Sequence, residues 1–198
     1  MRKYLILFCL LLFTSVGFTQ KSKMLKCVVD KESRNYRSPM IYGVFVQRLG
    51  FSSGGFAQFI LLYHYDDQKY YRLQVKEPFT SAKEILFCAE LPTGKYEIRS
   101  YNYVHSKWYG GMISEEPIYK NFDATDSLNF NTLKDSTNSL SLERFTFVIT
   151  DVAPYYVGLW DFNSGLVKFS SNKEYADEKL KRLIHISDGP KAISILPE

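Results

Sequence analysis

The stretch LPTGKYEIRSYNYV, residues 91–104, joins a tight-turn motif to a run of alternating side chains. Pro92 fixes the backbone angle that the second position of a tight turn requires, and Gly94 suits the fourth position. An extended chain after this turn places Tyr96 and Ile98 on one side. The other side carries Glu97, Arg99, Tyr101 and Tyr103. The stretch therefore predicts a corner between two β-strands, with the second strand over residues 95–104.

Further strands are predicted on both sides of this corner. They are the apolar or alternating segments 40–49, 56–65, 70–79, 84–90, 144–152 and 155–162, with a short returning strand in 165–172. The segment FAQFILLYHY (56–65) is apolar on both faces, which predicts a central strand that is covered on both sides. Gly158 lies in the middle of a strand, which predicts a bulge or a close approach by another part of the chain.

The region between these groups of strands is more polar. Residues 105–120 are predicted to form an aromatic-bearing loop or hairpin tip, and residues 121–144 a long surface excursion or poorly paired edge strands. The second segment contains oxygen-bearing side chains that could bind calcium, namely Asp123, Asp126, Asn129 and Asn131. Because their spacing is not that of an EF-hand loop, a solvated loop is the preferred interpretation.

The C-terminal segment has a different pattern. Residues 172–184 place apolar side chains near one helical stripe, with acidic residues first and basic residues last, as the helix dipole favours. The tail KAISILPE (191–198) is expected either to dock as an edge strand or to remain loose. Aromatic residues make up 16% of the chain, and Tyr and Phe favour strands. These patterns predict a mainly antiparallel β-sandwich of about seven to nine strands with one short C-terminal helix.

The N-terminus predicts export. Met1, Arg2 and Lys3 precede the apolar run Tyr4–Phe13, and small residues follow it, so residues 1–19 are predicted to be a signal peptide. The alternative is an uncleaved membrane anchor, but a spanning helix needs about 20 apolar residues. We therefore expect an exported protein, periplasmic or extracellular, without stable membrane insertion after cleavage. The predicted divisions are the signal peptide (1–19), an N-terminal segment (20–38), a β-sandwich domain (39–170) and the helix and tail of the same domain (171–198).

Charge and cysteine content exclude several functions. Loss of residues 1–19 removes Arg2 and Lys3 and no acidic residue, so the formal net charge falls from +4 to +2. That charge is too small and too scattered to predict a nucleic-acid partner. Cys27 and Cys88 could form one disulfide in an oxidising compartment, or Cys88 could be a small buried core residue. No cysteine or histidine spacing predicts a metal site, and we predict no cofactor.

No catalytic constellation is evident. His64 and Asp66 lie on one face of a predicted strand, where an aspartate could orient an imidazole for acid–base chemistry. A hydrolase would also need an activated nucleophile, and no GxSxG motif occurs. The LPTG of residues 91–94 lacks the spacer residue and the flanks of a sortase wall-anchoring signal. We therefore predict that the protein is not an enzyme.

Aromatic residues after the corner suggest a binding surface. Tyr101, Tyr103, Trp108 and Tyr109 could form an exposed aromatic platform beside two glycines. Flat aromatic rings suit sugar faces or protein anchors, because they offer a large apolar area at low entropic cost. The alternative is that Trp108 covers the open end of the sandwich, and buried aromatic residues of this kind are common in β-domains.

Two motifs together resemble a group of exported bacterial proteins, mostly uncharacterised. They are LPTGKYEIRSY (91–101) and FTFVITDVAPYYVGLWDF (145–162). The recurring pattern of the group is an LPPGKY turn followed by YYIG. The matching residues are Leu91, Pro92, Gly94 and Tyr96 in the first motif, and Tyr155, Tyr156, Val157 and Gly158 in the second. The resemblance implies a prealbumin-like β-sandwich, as in the regulatory domain of carboxypeptidases, and a role for the matched residues in structure.

The combined expectation is an exported, non-enzymatic structural or interaction module of the bacterial cell envelope. Its partner would be an envelope protein or a glycan of unknown identity. A carbohydrate- or protein-binding domain that uses the aromatic platform is the alternative, and a hydrolase ranks last. Here the sequence departs from the resembling group in two places: Asp151–Pro154 replaces the usual glycine turn, and no cysteine is placed for lipidation.

Overall fold

The computed structural model describes residues 23–25, 38–48, 55–107, 110–126, 142–184 and 191–198. These residues form eleven β-strands and one α-helix. The strands are β1 (Lys23–Leu25), β2 (Met40–Val46), β3 (Gln58–His64), β4 (Lys69–Lys76), β5 (Glu84–Glu90), β6 (Gly94–Lys107), β7 (Gly110–Pro117), β8 (Thr146–Ile149), β9 (Pro154–Asp161), β10 (Lys168–Ser170) and β11 (Ile193–Ser194). The helix is α1 (Lys173–Ile184).

The strands form two sheets. The first sheet has the order β1-β4-β3-β6-β7, with β8 also paired to β6, and the second has the order β10-β9-β2-β5, with β11 paired to β9. Most neighbours are antiparallel, and the parallel pairs are β1 with β4, β2 with β9 and β11 with β9. The predicted fold class, a mainly antiparallel β-sandwich with one short C-terminal helix, is confirmed.

The inner faces of the two sheets enclose the main core. Strand alternation places Tyr71, Leu73 and Val75 of β4 inside, as the sequence predicts. The second sheet contributes Phe45 and Trp160, which are both fully buried. The core therefore contains many aromatic rings, which accounts for the high tyrosine and phenylalanine content.

A β-bulge in β6 changes which side chains face the core. Leu61 of β3 pairs with Ser100 while Leu62 pairs with Ile98, so Arg99 is an extra residue without an opposite partner. Beyond the bulge the alternation is shifted by one position. Tyr101 and Tyr103 therefore point inward, and their predicted placement on the outward side is wrong. Residues 110–117, predicted as a loop or hairpin tip, are strand β7.

Gly158 lies at a second irregularity, where β9 pairs with β2. Tyr42 pairs with Tyr156 and Val44 with Leu159, and Gly158 has a φ of 101°. A Cβ at this position would lie 2.6 Å from Leu196 Cδ2, so the glycine admits the C-terminal tail. The tail docks as a strand: β11 extends the second sheet, and Glu198 exchanges two backbone hydrogen bonds with Thr146.

Helix α1 covers the outer face of the second sheet. Ala176 and Leu180 are fully buried against Met40, Tyr42 and Val44. The backbone N–H of Asn172 donates to the Tyr156 hydroxyl (2.7 Å), and the Tyr42 hydroxyl donates to Asp177. With sheet packing on one side and the helix on the other, every residue of β2 is buried. No described helix is long and apolar enough to cross a membrane.

Several predictions fall outside the described residues. These are the signal peptide, Cys27, Trp108, Tyr109 and the segment 127–141. Cys88 is buried and forms a disulfide bond. Because Cys27 is not described, its pairing with Cys88 stays a prediction.

Candidate functional site

The predicted aromatic platform does not form from the residues that the structure describes. Tyr101 is 1% exposed and Tyr103 is 6% exposed. The Tyr101 hydroxyl donates to Gln58 Oε1 (2.5 Å), and the Tyr103 hydroxyl donates to Glu116. Burial raises the pKa of Tyr103 to about 12, and Glu116 adds to this shift. Since the bulge at Arg99 turns both rings into the core, neither is available to a ligand.

The LPTG corner has a structural role. The Tyr96 hydroxyl donates back to the carbonyl oxygen of Pro92 (2.7 Å), and Leu91 is buried in the core. Gly94 has a φ of 136°, and a Cβ there would lie 2.1 Å from His64 Nε2. The His64 ring stacks on the Tyr96 ring, with centroids 4.5 Å apart. Proline, glycine and tyrosine of the motif thus all serve the close packing of one turn.

His64 belongs to this corner and is 3% exposed. Its Nδ1 lies 2.6 Å from an oxygen of Asp67, and its Nε2 lies 3.0 Å from the carbonyl oxygen of Thr93. The sequence paired His64 with Asp66, but that carboxylate is 3.8 Å from Nε2 and Asp67 is the close partner. Both ring nitrogens therefore contact groups that hold the corner to the β3–β4 turn.

The hydrogen bonds of Asp67 explain its ionisation. Burial would raise the pKa of Asp67, but hydrogen bonds from His64 and Tyr71 outweigh it and lower the pKa. The Tyr71 hydroxyl donates to the second carboxylate oxygen (2.9 Å), and burial together with this contact raises the pKa of Tyr71 to about 12. The cluster stabilises a charged aspartate beneath the corner.

The outer face of the first sheet carries aromatic, aliphatic and guanidinium groups that remain accessible. We call this surface the open face, and its residues are Phe59, Leu61, Tyr63, Tyr70, Arg72, Arg99 and Ile113. Ile113 is 79% exposed and the others are half-buried. A shallow groove of about 620 Å³ crosses the face. The prediction that residues 56–65 are covered on both sides is wrong for this outer side.

Two arginines lie over aromatic rings on the open face. Arg72 Cζ is 4.5 Å from the centre of the Phe59 ring, and Arg99 Cζ is 5.0 Å from the centre of the Tyr63 ring. Leu61 lies between the two rings in β3 and pairs with Arg72 on one side and Ser100 on the other. The face therefore presents a guanidinium at each end and an aliphatic side chain between them.

A carboxylate, Glu97, lies beneath one end of the open face. Its Oε1 is 2.9 Å from Arg99 Nε and 3.2 Å from Arg144 Nε, in ion pairs whose angles fall outside hydrogen-bond geometry. The Tyr65 hydroxyl donates to the other carboxylate oxygen, and this hydrogen bond and burial raise the pKa of Tyr65. One negative charge is thus shared by two guanidiniums.

Arg144 has a structural role at the edge of this surface. Its Nη1 donates to the carbonyl oxygen of Arg99 (2.7 Å), and its guanidinium lies 4.0 Å from the centre of the Tyr119 ring. Burial lowers the pKa of Arg144. By contrast, no salt bridge to Arg72 occurs within the described residues. Arg72 is therefore the cation of the open face that is best placed to meet a ligand.

The open face was not predicted from the sequence, although one signal pointed to it. Tyr70, Arg72 and Gln74 alternate with buried residues of β4, so the outer face of that strand is polar. Neighbouring strands share their faces, and β3 pairs with β4 in an antiparallel arrangement. The outer side of β3 must then be accessible as well, however apolar its sequence.

The described residues contain no group of three or more His, Cys, Asp or Glu side chains that could hold a metal ion. In comparisons with known proteins, no family model, no curated protein and no solved structure matches this chain.

Proposed function

We propose that this protein is an exported, non-enzymatic interaction module of the cell envelope that binds a partner protein through the open face. One observation carries the proposal. The outer face of the second sheet is buried under α1, while the outer face of the first sheet leaves rings and guanidiniums accessible, with no described helix over it. Apolar and aromatic groups gathered on one accessible face are typical of interaction sites.

The composition of the open face suits a protein partner. Tyrosine and arginine are enriched among the residues that dominate binding energy in protein interfaces. Tyr63 and Tyr70 contact each other, with ring centroids 5.1 Å apart, and the strands hold their positions. Side chains that are already ordered lose little conformational entropy when a partner binds.

A carbohydrate ligand is the second candidate, and one observation weighs against it. Sugars stack on the flat faces of aromatic rings, but here Arg72 and Arg99 lie over the Phe59 and Tyr63 rings. Leu61 and Ile113 offer aliphatic rather than planar surface. The open face therefore fits the apolar and charged side chains of a protein better than the ring of a sugar.

The non-enzymatic part of the proposal is supported by the placement of His64. A general base needs a nitrogen that can reach substrate, and both ring nitrogens of this buried histidine contact Asp67 and the Thr93 carbonyl. Export is supported by the composition of residues 1–19, and the envelope role by the resemblance of the two motifs to exported bacterial proteins.

Site-specific photo-crosslinking in the cells that make the protein tests this function. A photoreactive phenylalanine analogue would replace Tyr70 or Ile113 on the open face and, as a matched control, Glu178 on the exposed side of α1. We expect a discrete protein adduct from the first two positions and none from the control. No adduct at positions 70 and 113, or the same adducts at all three, would reject the proposal.

A further inference from the structure

The open face carries a regular pattern along β3. Phe59, Leu61 and Tyr63 alternate with buried residues, so the three side chains share the outer face. Arg72 lies over the first ring and Arg99 over the third. Phe59 and Tyr63 are four residues apart, which is about 13 Å along a strand. One guanidinium, from β4, thus lies over the first ring of this row and another, from β6, over the third, with Leu61 between the two rings.

An extended peptide has the complementary spacing. Its alternate side chains point to one side, and its residues i and i+4 are also about 13 Å apart. Acidic residues at i and i+4 would each reach one guanidinium, and an apolar residue at i+2 would lie on Leu61. Carboxylates pair with guanidiniums through charge-assisted hydrogen bonds, often two in parallel.

The charges on the open face favour such a ligand. Arg72 has no salt bridge within the described residues, and Arg99 shares the single carboxylate of Glu97 with Arg144. Glu115 is the acidic residue that lines the groove, and it accepts a hydrogen bond from the Ser100 hydroxyl (2.5 Å) on the side toward β7. An acidic segment would therefore follow β3, where the guanidiniums lie, rather than cross toward β7.

We propose that the open face binds an extended segment of a partner protein with acidic residues at i and i+4 and an apolar residue at i+2. This inference rests on the proposed function and specifies the chemistry of its partner. Arg72 and Arg99 determine the charge of the segment. Leu61 and the spacing of β3 determine its register.

Two peptides of identical composition test the register. In Thr-Glu-Thr-Leu-Thr-Glu-Thr the two glutamates and the leucine point to one side, whereas in Thr-Thr-Glu-Leu-Glu-Thr-Thr the glutamates point away from the leucine. Each would be titrated into the full-length mature protein labelled with ¹⁵N. We expect amide shift changes centred on residues 59–63, 70–72 and 99–102. The second peptide should bind about tenfold more weakly, since two ion pairs are lost.

Variants test the charges. Arg72→Gln should weaken binding of the first peptide about three- to tenfold, which is the usual value of one accessible ion pair or a little more. Arg72→Lys should retain most of the affinity, and Lys168→Gln, an exposed change in β10, should leave it unchanged. Thermal unfolding of each variant checks that the fold is intact.

Three results would overturn the inference. The first is equal affinity for the two peptides, and the second is binding that does not respond to Arg72→Gln. The third is binding of polygalacturonate, an acidic glycan, in place of either peptide, which would assign the face to a different class of polymer. A protein adduct from position 70 without any preference between the peptides would leave the proposed function standing and reject this inference alone.

Discussion

The outer faces of the two sheets differ in cover, although the strands beneath them are similarly apolar. β2, with the sequence MIYGVFV, is buried at all seven positions because α1 lies over it. β3, with the sequence QFILLYH, is buried only at alternate positions. The described part of the chain contains a single helix, and its buried stripe of Ala176 and Leu180 can cover only one sheet. Whether a strand face is covered is therefore decided by what else the chain supplies, and not by the hydrophobicity of the strand.

The uncovered face is adapted to water. Arg72 and Arg99 lay their guanidiniums over the Phe59 and Tyr63 rings, which shields the rings while the charged groups remain accessible. The hydroxyls of Tyr63 and Tyr70 give their rings a polar end that can contact water. The covered face needs no such shielding. There the Tyr42 hydroxyl contacts Asp177 of α1, and the Tyr156 hydroxyl contacts the backbone N–H of Asn172, just before the helix.

The largest expected effect comes from comparing two leucine-to-alanine changes, one in the helix that covers the second sheet and one on the open face. Leu180 of α1 is fully buried, so Leu180→Ala should lower the free energy of unfolding by about 2–5 kcal/mol. Leu61 of the open face is half-buried, so Leu61→Ala should cost about 1 kcal/mol or less. Urea unfolding of both variants measures the difference. Equal losses would mean that the open face is covered in the mature protein.

The next largest effect concerns Gly158, where the C-terminal tail packs against the second sheet. Gly158→Val should cost about 1–3 kcal/mol, because the φ of 101° strains any residue with a side chain and a Cβ contacts Leu196. Leu196→Ala should recover part of this cost if the contact with the tail contributes, which a double-mutant cycle measures. An unchanged unfolding temperature for Gly158→Val would show that neither strain nor contact matters there.

A smaller effect concerns acid stability of the first sheet at the LPTG corner. Asp67 has a lowered pKa in the folded protein, so its charged form stabilises the fold above the unfolded pKa of about 3.9. That contribution is lost as the pH falls through the folded pKa. Asp67→Asn should therefore cost about 1 kcal/mol at pH 7, the usual net value of one hydrogen bond, and less below pH 4.

Thermal unfolding from pH 7 to pH 2 measures how the difference in stability between Asp67→Asn and the original protein shrinks as the pH falls. Glu178→Gln, an exposed change in α1, is the matched control, and its unfolding temperature should change with pH as that of the original protein does. A difference between Asp67→Asn and the original protein that stays constant down to pH 2 would contradict the role of the charge.

Strand alternation made much of this fold predictable from the sequence. The hairpin of β3 and β4, the corner at residues 91–94 and the C-terminal helix follow from turn residues and from periods of two and of about 3.6 residues. The two bulges differ in this respect. The irregularity at Gly158 can be predicted from the sequence, because a glycine inside a strand often marks a bulge. The bulge at Arg99 cannot, because a bulge can hold an ordinary residue and is defined by pairing with a distant strand.

The bulge at Arg99, which was not predicted, accounts for the error in the predicted aromatic platform. A strand without a bulge would have turned Tyr101 and Tyr103 outward, whereas the observed strand buries them and leaves Arg99 on the outer face. Pairing between β4 and β3 also decides the open face, because it sets Arg72 beside Leu61. Cross-strand neighbours of this kind depend on register, which a single sequence specifies only through its turns.

The final comparison concerns one hydroxyl on each outer face, and it includes the smallest expected effect. Tyr156 is fully buried in the second sheet, and its hydroxyl accepts the backbone N–H of Asn172 at the start of α1 (2.7 Å). Tyr156→Phe leaves that N–H without its acceptor, so it should cost about 0.5–1.5 kcal/mol. Tyr63→Phe removes a hydroxyl from the open face, where water can replace its interactions, and should change stability by about 0.5 kcal/mol or less. Urea unfolding resolves the two, and a cost for Tyr63→Phe as large as that for Tyr156→Phe would indicate that the Tyr63 hydroxyl has a buried partner, so that the two faces would be alike.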